Sequence, residues 1–198
     1  MKKALLLVSV LFISVVSTAC INKFAVQELN NKAKGYIEQG DYQNAIERLK
    51  SSVDLDDTVF ETHYNLAVAY TQAEDYPNAI ASYKKAIEIN PDFADAYYSL
   101  AVAEEDFSVD LAKGVLKLDE NGNPVKVDEK ELEKQEKITI TPEAEKLIND
   151  LLTEAVNNYT IYLQKGADIQ DGDEVKEKIE RLNEEKAGNQ APQTNTAG

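Results

Sequence analysis

The sequence has very few of the residues from which metal centres, nucleophilic sites and disulfides are built. Its 198 residues include one cysteine, Cys20, one histidine, His63, and no tryptophan. A single cysteine excludes an intrachain disulfide, and one histidine without a second Cys or His leaves no usual transition-metal or nucleophile–base set. We therefore expect no catalytic residue, no metal site and no cofactor, and we predict that the protein is not an enzyme.

Basic residues are scarce as well. The chain has 21 Lys and Arg against 36 Asp and Glu, which gives a formal net charge of −15. Such a surface repels the phosphates of nucleic acids and anionic lipid headgroups, so we exclude nucleic acid as a partner. Acidic residues on exposed helices mainly provide solubility, and the charge therefore excludes partners better than it identifies them.

The first twenty residues have the pattern of a targeting segment. Lys2 and Lys3 precede an apolar run over 4–16 that is short for a membrane-spanning helix, and small residues stand before Cys20. This pattern resembles the signal of bacterial lipoproteins. The resemblance implies a signal peptide over 1–19 and a tether over 20–25 whose Cys20 carries acyl chains such as palmitate.

By this resemblance the protein is exported and anchored at the bacterial cell envelope, on the periplasmic or the outer-surface side. The lipid on Cys20 would be its only contact with the membrane. Ser17 stands where the lipoprotein motif usually has Leu. An ordinary secretory cleavage site would also fit these residues, so a secreted soluble protein with a free Cys20 is the alternative.

An internal repeat organises the rest of the chain. Tyr36–Ile46 and Tyr70–Ile80 are identical at six of eleven positions, at an offset of 34 residues. This offset is the period of the tetratricopeptide repeat. The segment from Phe60 to Asp92 resembles that family at its marked positions, which are Leu66, Ala67, Tyr70, Ala79, Tyr83, Ala86 and Pro91. The resemblance implies stacked pairs of antiparallel helices.

We accordingly predict an all-α helical-repeat solenoid of about three repeats, the third interrupted, with a C-terminal capping helix. The segments are 26–107 for two repeats and the first helix of the third, 108–141 for an insertion, 142–166 for the second helix of the third, 172–186 for the capping helix and 187–198 for a tail. A narrow apolar stripe among charges predicts the capping helix, and the tail, which has no large apolar residue, is predicted to be disordered.

The insertion is predicted to contain a β-hairpin. Two β-prone runs, 115–118 and 125–127, flank the turn-forming cluster Asp119–Pro124, and Thr141 followed by Pro142 predicts the start of a helix. The cluster also resembles a calcium-binding loop, but its glycine and the following glutamate stand out of register. A calcium-responsive or enzymatic module here is therefore the least favoured function.

The repeat resemblance also implies a concave groove lined by the first helix of each repeat, where such proteins bind peptides. The groove residues are Asn30, Lys34, Tyr64, Asn65, Val68, Tyr98, Ser99 and Val102, with Glu61, Asp95 and Glu105 at the rims. We expect a non-catalytic interaction scaffold that binds a protein or peptide. Because Lys34 is the only basic residue in this set, we expect the ligand not to be acidic.

Two alternatives stand beside this interpretation. Tyr64 and Tyr98 could serve packing rather than binding. The protein could also be an accessory factor for the assembly of outer-membrane or pilus components. The clamp with which some family members hold a free C-terminal carboxylate is absent, because Asp95 reverses a charge that the clamp requires.

Overall fold

The computed structural model describes residues 22–133, 138–166 and 171–190, and these form a helical-repeat fold with one small hairpin, as the sequence predicts. The helices are α1 (22–38), α2 (Tyr42–Leu55), α3 (Phe60–Gln72), α4 (Tyr76–Ile89), α5 (Ala94–Ala112), α6 (Glu129–Leu132), α7 (Pro142–Lys165) and α8 (Gly172–Gln190), and the strands are β1 (Leu116–Leu118) and β2 (Pro124–Lys126). The chain divides after Pro91 into two compact units, here called unit 1 and unit 2.

Unit 1 contains α1 to α4, and small residues let its helices approach closely. Ala33, Ala45, Ala67 and Ala79 are completely buried, and α3 packs against both α2 and α4. Asp41 caps α2 by accepting a hydrogen bond from the backbone N–H of Asn44 at 3.2 Å. Pro77 occupies the first turn of α4, where its missing N–H costs no hydrogen bond.

Unit 2 is built on the pair α5 and α7. The predicted hairpin lies between them in sequence: β1 and β2 pair antiparallel, with Leu116 opposite Lys126. Leu116 and Val127 are buried, and β1 packs against α5 and α7. The predicted start of α7 is confirmed, because the Thr141 hydroxyl accepts a hydrogen bond from the Ala144 N–H at 3.2 Å.

Two helices run beyond the predicted segment limits. Helix α5 continues past residue 107 to Ala112, and Ser108 and Leu111 are buried on it, so the insertion begins after Ala112. Helix α8 continues to Gln190, which places the first residues of the predicted tail in a helix. The predicted signal peptide, Cys20 and the tail residues 191–198 lie outside the described residues.

None of the helices in the described part of the chain is long and apolar enough to cross a membrane.

Candidate functional site

Unit 1 contains an open cleft of about 570 Å³ between α1 and the start of α3. Three predicted groove residues, Asn30, Lys34 and Asn65, line it, together with Lys23, Val26, Gln27, Asn31, Thr58, Val59 and Glu61. The lining combines amide and ammonium groups with two valines. This composition suits a ligand that offers both hydrogen-bond acceptors and apolar contact.

A network of partly buried hydrogen bonds fixes the wall of this cleft. The Asn30 side-chain amide donates to Ser52 Oγ at 2.9 Å and to Thr62 Oγ1 at 2.8 Å, and both hydroxyl residues are completely buried. The Asn65 amide donates to Asn30 Oδ1 at 3.0 Å. Because Asn30 is held from the core side, Asn65 is positioned at the cleft by a fixed neighbour.

The charge of the cleft differs from that of the whole chain. Lys23 and Lys34 line it against one carboxylate, that of Glu61. Neither lysine forms an ion pair within the described residues, whereas Lys32 on the same helix pairs with Glu28 at 2.8 Å. These two ammonium groups make this cleft locally basic in a chain of net charge −15.

Two other predicted groove residues of unit 1, Tyr64 and Val68, are half-buried and do not line the cleft. The Tyr64 ring packs edge-on against Tyr83, with ring centroids 5.7 Å apart and an interplanar angle of 62°. Such a contact between α3 and α4 stabilises the repeat itself. Tyr64 therefore has a packing role.

The predicted groove residues of unit 2 lie along α5. Tyr98, Val102 and Glu105 are spaced by four and three residues, so they share one face of the helix. The Tyr98 ring packs against Tyr159 and Tyr162 of α7, with centroid distances of 5.6 and 5.1 Å. Burial raises the pKa of Tyr98. Ser99 is half-buried on the adjacent face.

Glu105 connects α5 to the other two helices of unit 2. Its carboxylate accepts a hydrogen bond from the Tyr159 hydroxyl at 2.8 Å, forms an ion pair with Arg181, and lies 4.0 Å from Lys178 Nζ. Burial and the Glu105 charge raise the pKa of Tyr159. Arg181 and Lys178 belong to α8, so the carboxylate of Glu105, a predicted rim residue, already binds side chains of its own chain.

At the other end of this face, Tyr162 links α7 to the segment before α8. Its hydroxyl donates to Asp171 at 3.1 Å, and burial, followed by this hydrogen bond, raises the pKa of Tyr162 to about 12.

One buried polar pair was not predicted from the sequence. Glu104 is only 1% exposed, and its carboxylate accepts a hydrogen bond at 2.8 Å from the amide of Asn158, which is also buried. The available signal is that Glu104 stands 34 residues after Tyr70, at a position where the repeat pattern has an aromatic residue. Its partner stands 54 residues away on α7, and nothing in the local sequence connects the two.

The remaining polar candidates have structural roles. His63 is buried, and its Nε2 lies 2.9 Å from the backbone oxygen of Asp57. The Asp119 carboxylate accepts hydrogen bonds from the backbone N–H groups of Asn121 and Asn123, both at 2.8 Å, and these bonds lower the pKa of Asp119. This geometry is that of a capped hairpin turn. Within the described residues, no group of three or more His, Cys, Asp or Glu could hold a metal ion.

Paired antiparallel helices, small residues at their contacts and an open cleft on the first helices define a helical-repeat protein of the kind that presents an extended surface. Family models agree. Residues 60–93 and 82–126 match models described as tetratricopeptide repeat, and residues 33–73 match one described as TPR repeat. Residues 33–126 are therefore similar to tetratricopeptide repeats in sequence. No curated protein sequence matches it at a significant level.

Solved structures show the same fold at low sequence identity. The first TPR domain of human RPAP3 is 17% identical, with a TM-score of 0.56, and the match covers 82% of this chain and 95% of that one. The TPR2B domain of yeast Sti1, solved as a pHsp70 complex, is 18% identical, with a TM-score of 0.53 and coverages of 83% and 98%. The Arabidopsis OM64 TPR domain is 12% identical, with a TM-score of 0.55 and coverages of 81% and 98%.

Proposed function

We propose that this protein is a non-catalytic interaction scaffold at the bacterial cell envelope, which holds a protein or peptide segment against the first helices of its repeats. The observation that carries this proposal is the cleft of about 570 Å³ in unit 1, whose Lys34 forms no ion pair with any residue that the structure describes and whose Asn65 is held in place. Preorganised donors of this kind suit the carbonyl groups of an extended segment, and Val26 and Val59 offer apolar contact.

A peptide is the class of ligand that the structural neighbours support. The first TPR of Spaghetti, which is 17% identical to this chain with a TM-score of 0.54, was solved with the HSP90 peptide SRMEEVD. We propose a partner that is not acidic overall, because the net charge of −15 opposes the approach of an anionic surface. The ammonium groups of Lys23 and Lys34 then bind individual hydrogen-bond acceptors on that partner.

Mutation of the cleft tests the binding proposal. After crosslinking and mass spectrometry identify a partner, Lys34→Ala combined with Asn65→Ala should weaken it at least about tenfold, or about 1.4 kcal/mol. Lys32→Ala is the matched control, because it removes the same charge from the same helix outside the cleft. Equal losses in both variants, with native circular dichroism, would move the binding surface elsewhere.

We also propose that the protein is tethered by acylated Cys20 on the periplasmic or the outer-surface side. This proposal is supported by the lone cysteine after a short apolar segment. The expressed protein should enter the detergent phase of a detergent partition and carry acyl mass at its N-terminal residue, while Cys20→Ala should stay in the aqueous phase. Wild-type protein in the aqueous phase with an unmodified N-terminus would contradict the tether.

A further inference from the structure

Helix α8 is held by few buried contacts for its length. It spans Gly172–Gln190, and its completely buried side chains within the described residues are Val175 and Leu182, each about 1% exposed. Ile179 is half-buried, and the positions between carry mainly charged residues. Helix α8 packs against α7. Because its apolar stripe is narrow, α8 buries little apolar surface, and a similar helix could bury the same amount in its place.

Helix α8 also runs along the predicted groove face of α5, parallel to it. At one end, the Tyr98 ring lies 5.1 Å from the Tyr162 ring, whose hydroxyl donates to Asp171 just before α8. After burial, the charges of Glu174 and Asp171 contribute to the raised pKa of Tyr98. Glu105, seven residues after Tyr98 on α5, contacts Lys178 and Arg181. On α8, Lys178 stands seven residues after Asp171, and Arg181 stands seven residues after Glu174. Equal steps in the same direction mean that the two helices are parallel, as the first helices of successive repeats are.

The contact between α5 and α8 is made by long, charged side chains. Glu105 is 14% exposed, while Arg181 is 51% and Lys178 is 22% exposed. The Lys178 ammonium group also lies over the Tyr159 ring, 5.9 Å from its centroid. Ion pairs with exposed partners contribute little to stability, so this contact determines which helix fits the face more than how tightly it is held.

We propose that α8 is a replaceable occupant of a helix-binding face on unit 2, formed by α5 and α7, and that this face receives a partner helix of the same pattern. That pattern is two apolar residues seven positions apart, with basic residues three and six positions after the first, as in Val175, Lys178, Arg181 and Leu182. The inference rests on the proposed scaffold function and adds its regulation: the face opens only when α8 leaves.

The test uses the chain's own helix as the probe. A fluorescent peptide of residues 171–190 is titrated against the full-length wild-type protein and against the variant Lys178→Glu with Arg181→Glu. In the wild type α8 competes at an effective concentration on the order of millimolar, so the peptide should bind weakly. In the variant the charge reversal repels α8 from Glu105, and the peptide should bind at least about tenfold more tightly.

Hydrogen exchange separates release of α8 from a general loss of structure. The variant should show faster exchange across α8, with the protection of α5 and α7 unchanged. Lys176→Glu is the matched control, because Lys176 is 65% exposed and contacts Asp173 of its own helix. Control and wild type should behave alike. A further variant, Glu105→Lys, should prefer a peptide that carries Lys178→Glu and Arg181→Glu over the native peptide.

Three results would overturn the inference. They are unchanged α8 protection in the double variant, loss of α5 and α7 protection together with that of α8, and equal peptide binding by variant and wild type. Each would make α8 a permanent part of the fold. Because the probe belongs to this chain, none of these results bears on the cleft of unit 1, and a failed Lys34 and Asn65 test would count against the proposed function alone.

Discussion

The two units carry the same repeat pattern but end their first helices at different points of the repeat. In unit 1 the turns after α1 and α3 place Gly40 and Glu74 in the left-handed region, with φ values of 74° and 59°. The position 34 residues after Glu74 is Ser108, which is helical and buried within α5. Helix α5 continues to Ala112 and also ends two residues before a left-handed residue, Gly114, whose φ is 68°. The first helix of unit 2 is therefore longer because its left-handed residue stands six positions later in the repeat.

A second difference lies in what fills the repeat core. Tyr70 is buried in unit 1, and the residue 34 positions later is Glu104, buried in unit 2 against Asn158. The Tyr70 ring fills its space mainly by its volume, with the Lys50 ammonium group 5.7 Å from its centroid, whereas a carboxylate requires hydrogen-bond donors. At this position the core of unit 2 is stabilised by a hydrogen bond from one specific residue, whereas the core of unit 1 is stabilised by the volume of an aromatic ring. The two cores should therefore respond differently to mutation.

The largest effect is expected from Asn158→Ala. The substitution removes the amide that donates to Glu104 at 2.8 Å and should lower the free energy of unfolding by about 3 kcal/mol, since loss of a donor to a buried carboxylate is costly. Denaturant unfolding measures the change. Asn157→Ala, at an exposed neighbouring position, should shift it by less than about 0.5 kcal/mol.

A second substitution sharpens this test. In a background of Asn158→Leu, Glu104→Leu should recover most of the lost stability, because an apolar pair needs no donor. If Asn158→Ala and Asn157→Ala lower the free energy of unfolding by the same small amount, the Glu104–Asn158 hydrogen bond contributes no more to stability than a surface residue does. The proposed difference between the cores of the two units would then be wrong.

The hairpin of unit 2 should show a smaller effect, with a clear difference between its two faces. Leu116 is buried where β1 packs against α5 and α7, so Leu116→Ala should cost about 2 kcal/mol. Val125, on the paired strand, is 42% exposed, and Val125→Ala should cost less than about 0.5 kcal/mol. Thermal unfolding of both variants decides the point. Equal shifts would mean that the hairpin is an appendage and not part of the core.

Local patterns predicted the fold well because each depends on nearby residues. The 34-residue offset, the Thr141 cap and the turn between β1 and β2 are readable within short windows. The site was less predictable. The cleft role of Asn30 depends on Ser52 and Thr62, and the coverage of Glu105 depends on Arg181, which is 76 residues away. Such contacts are determined by how helices stack, and a single sequence carries no signal for them.

The smallest effect concerns the turns of unit 1 and tests the account of helix length. Gly40→Ala should lower the free energy of unfolding by about 1 kcal/mol, because a side chain is strained at positive φ even though a Cβ there would meet no atom within 4 Å. Glu74→Gly removes the same strain from the second turn and should raise stability by about 0.5 kcal/mol, since the greater freedom of glycine in the unfolded chain offsets part of the gain.

Gly35→Ala provides the matched control, because Gly35 lies within α1 and an added Cβ would meet only Gln39 Nε2 at 3.9 Å. Alanine favours a helix interior, so this substitution should stabilise by about 0.5 to 1 kcal/mol, opposite in sign to the same change at Gly40. Urea titrations of the three variants suffice. If Gly40→Ala and Gly35→Ala shift stability in the same direction, left-handed geometry does not govern these turns, and the greater length of α5 needs another cause.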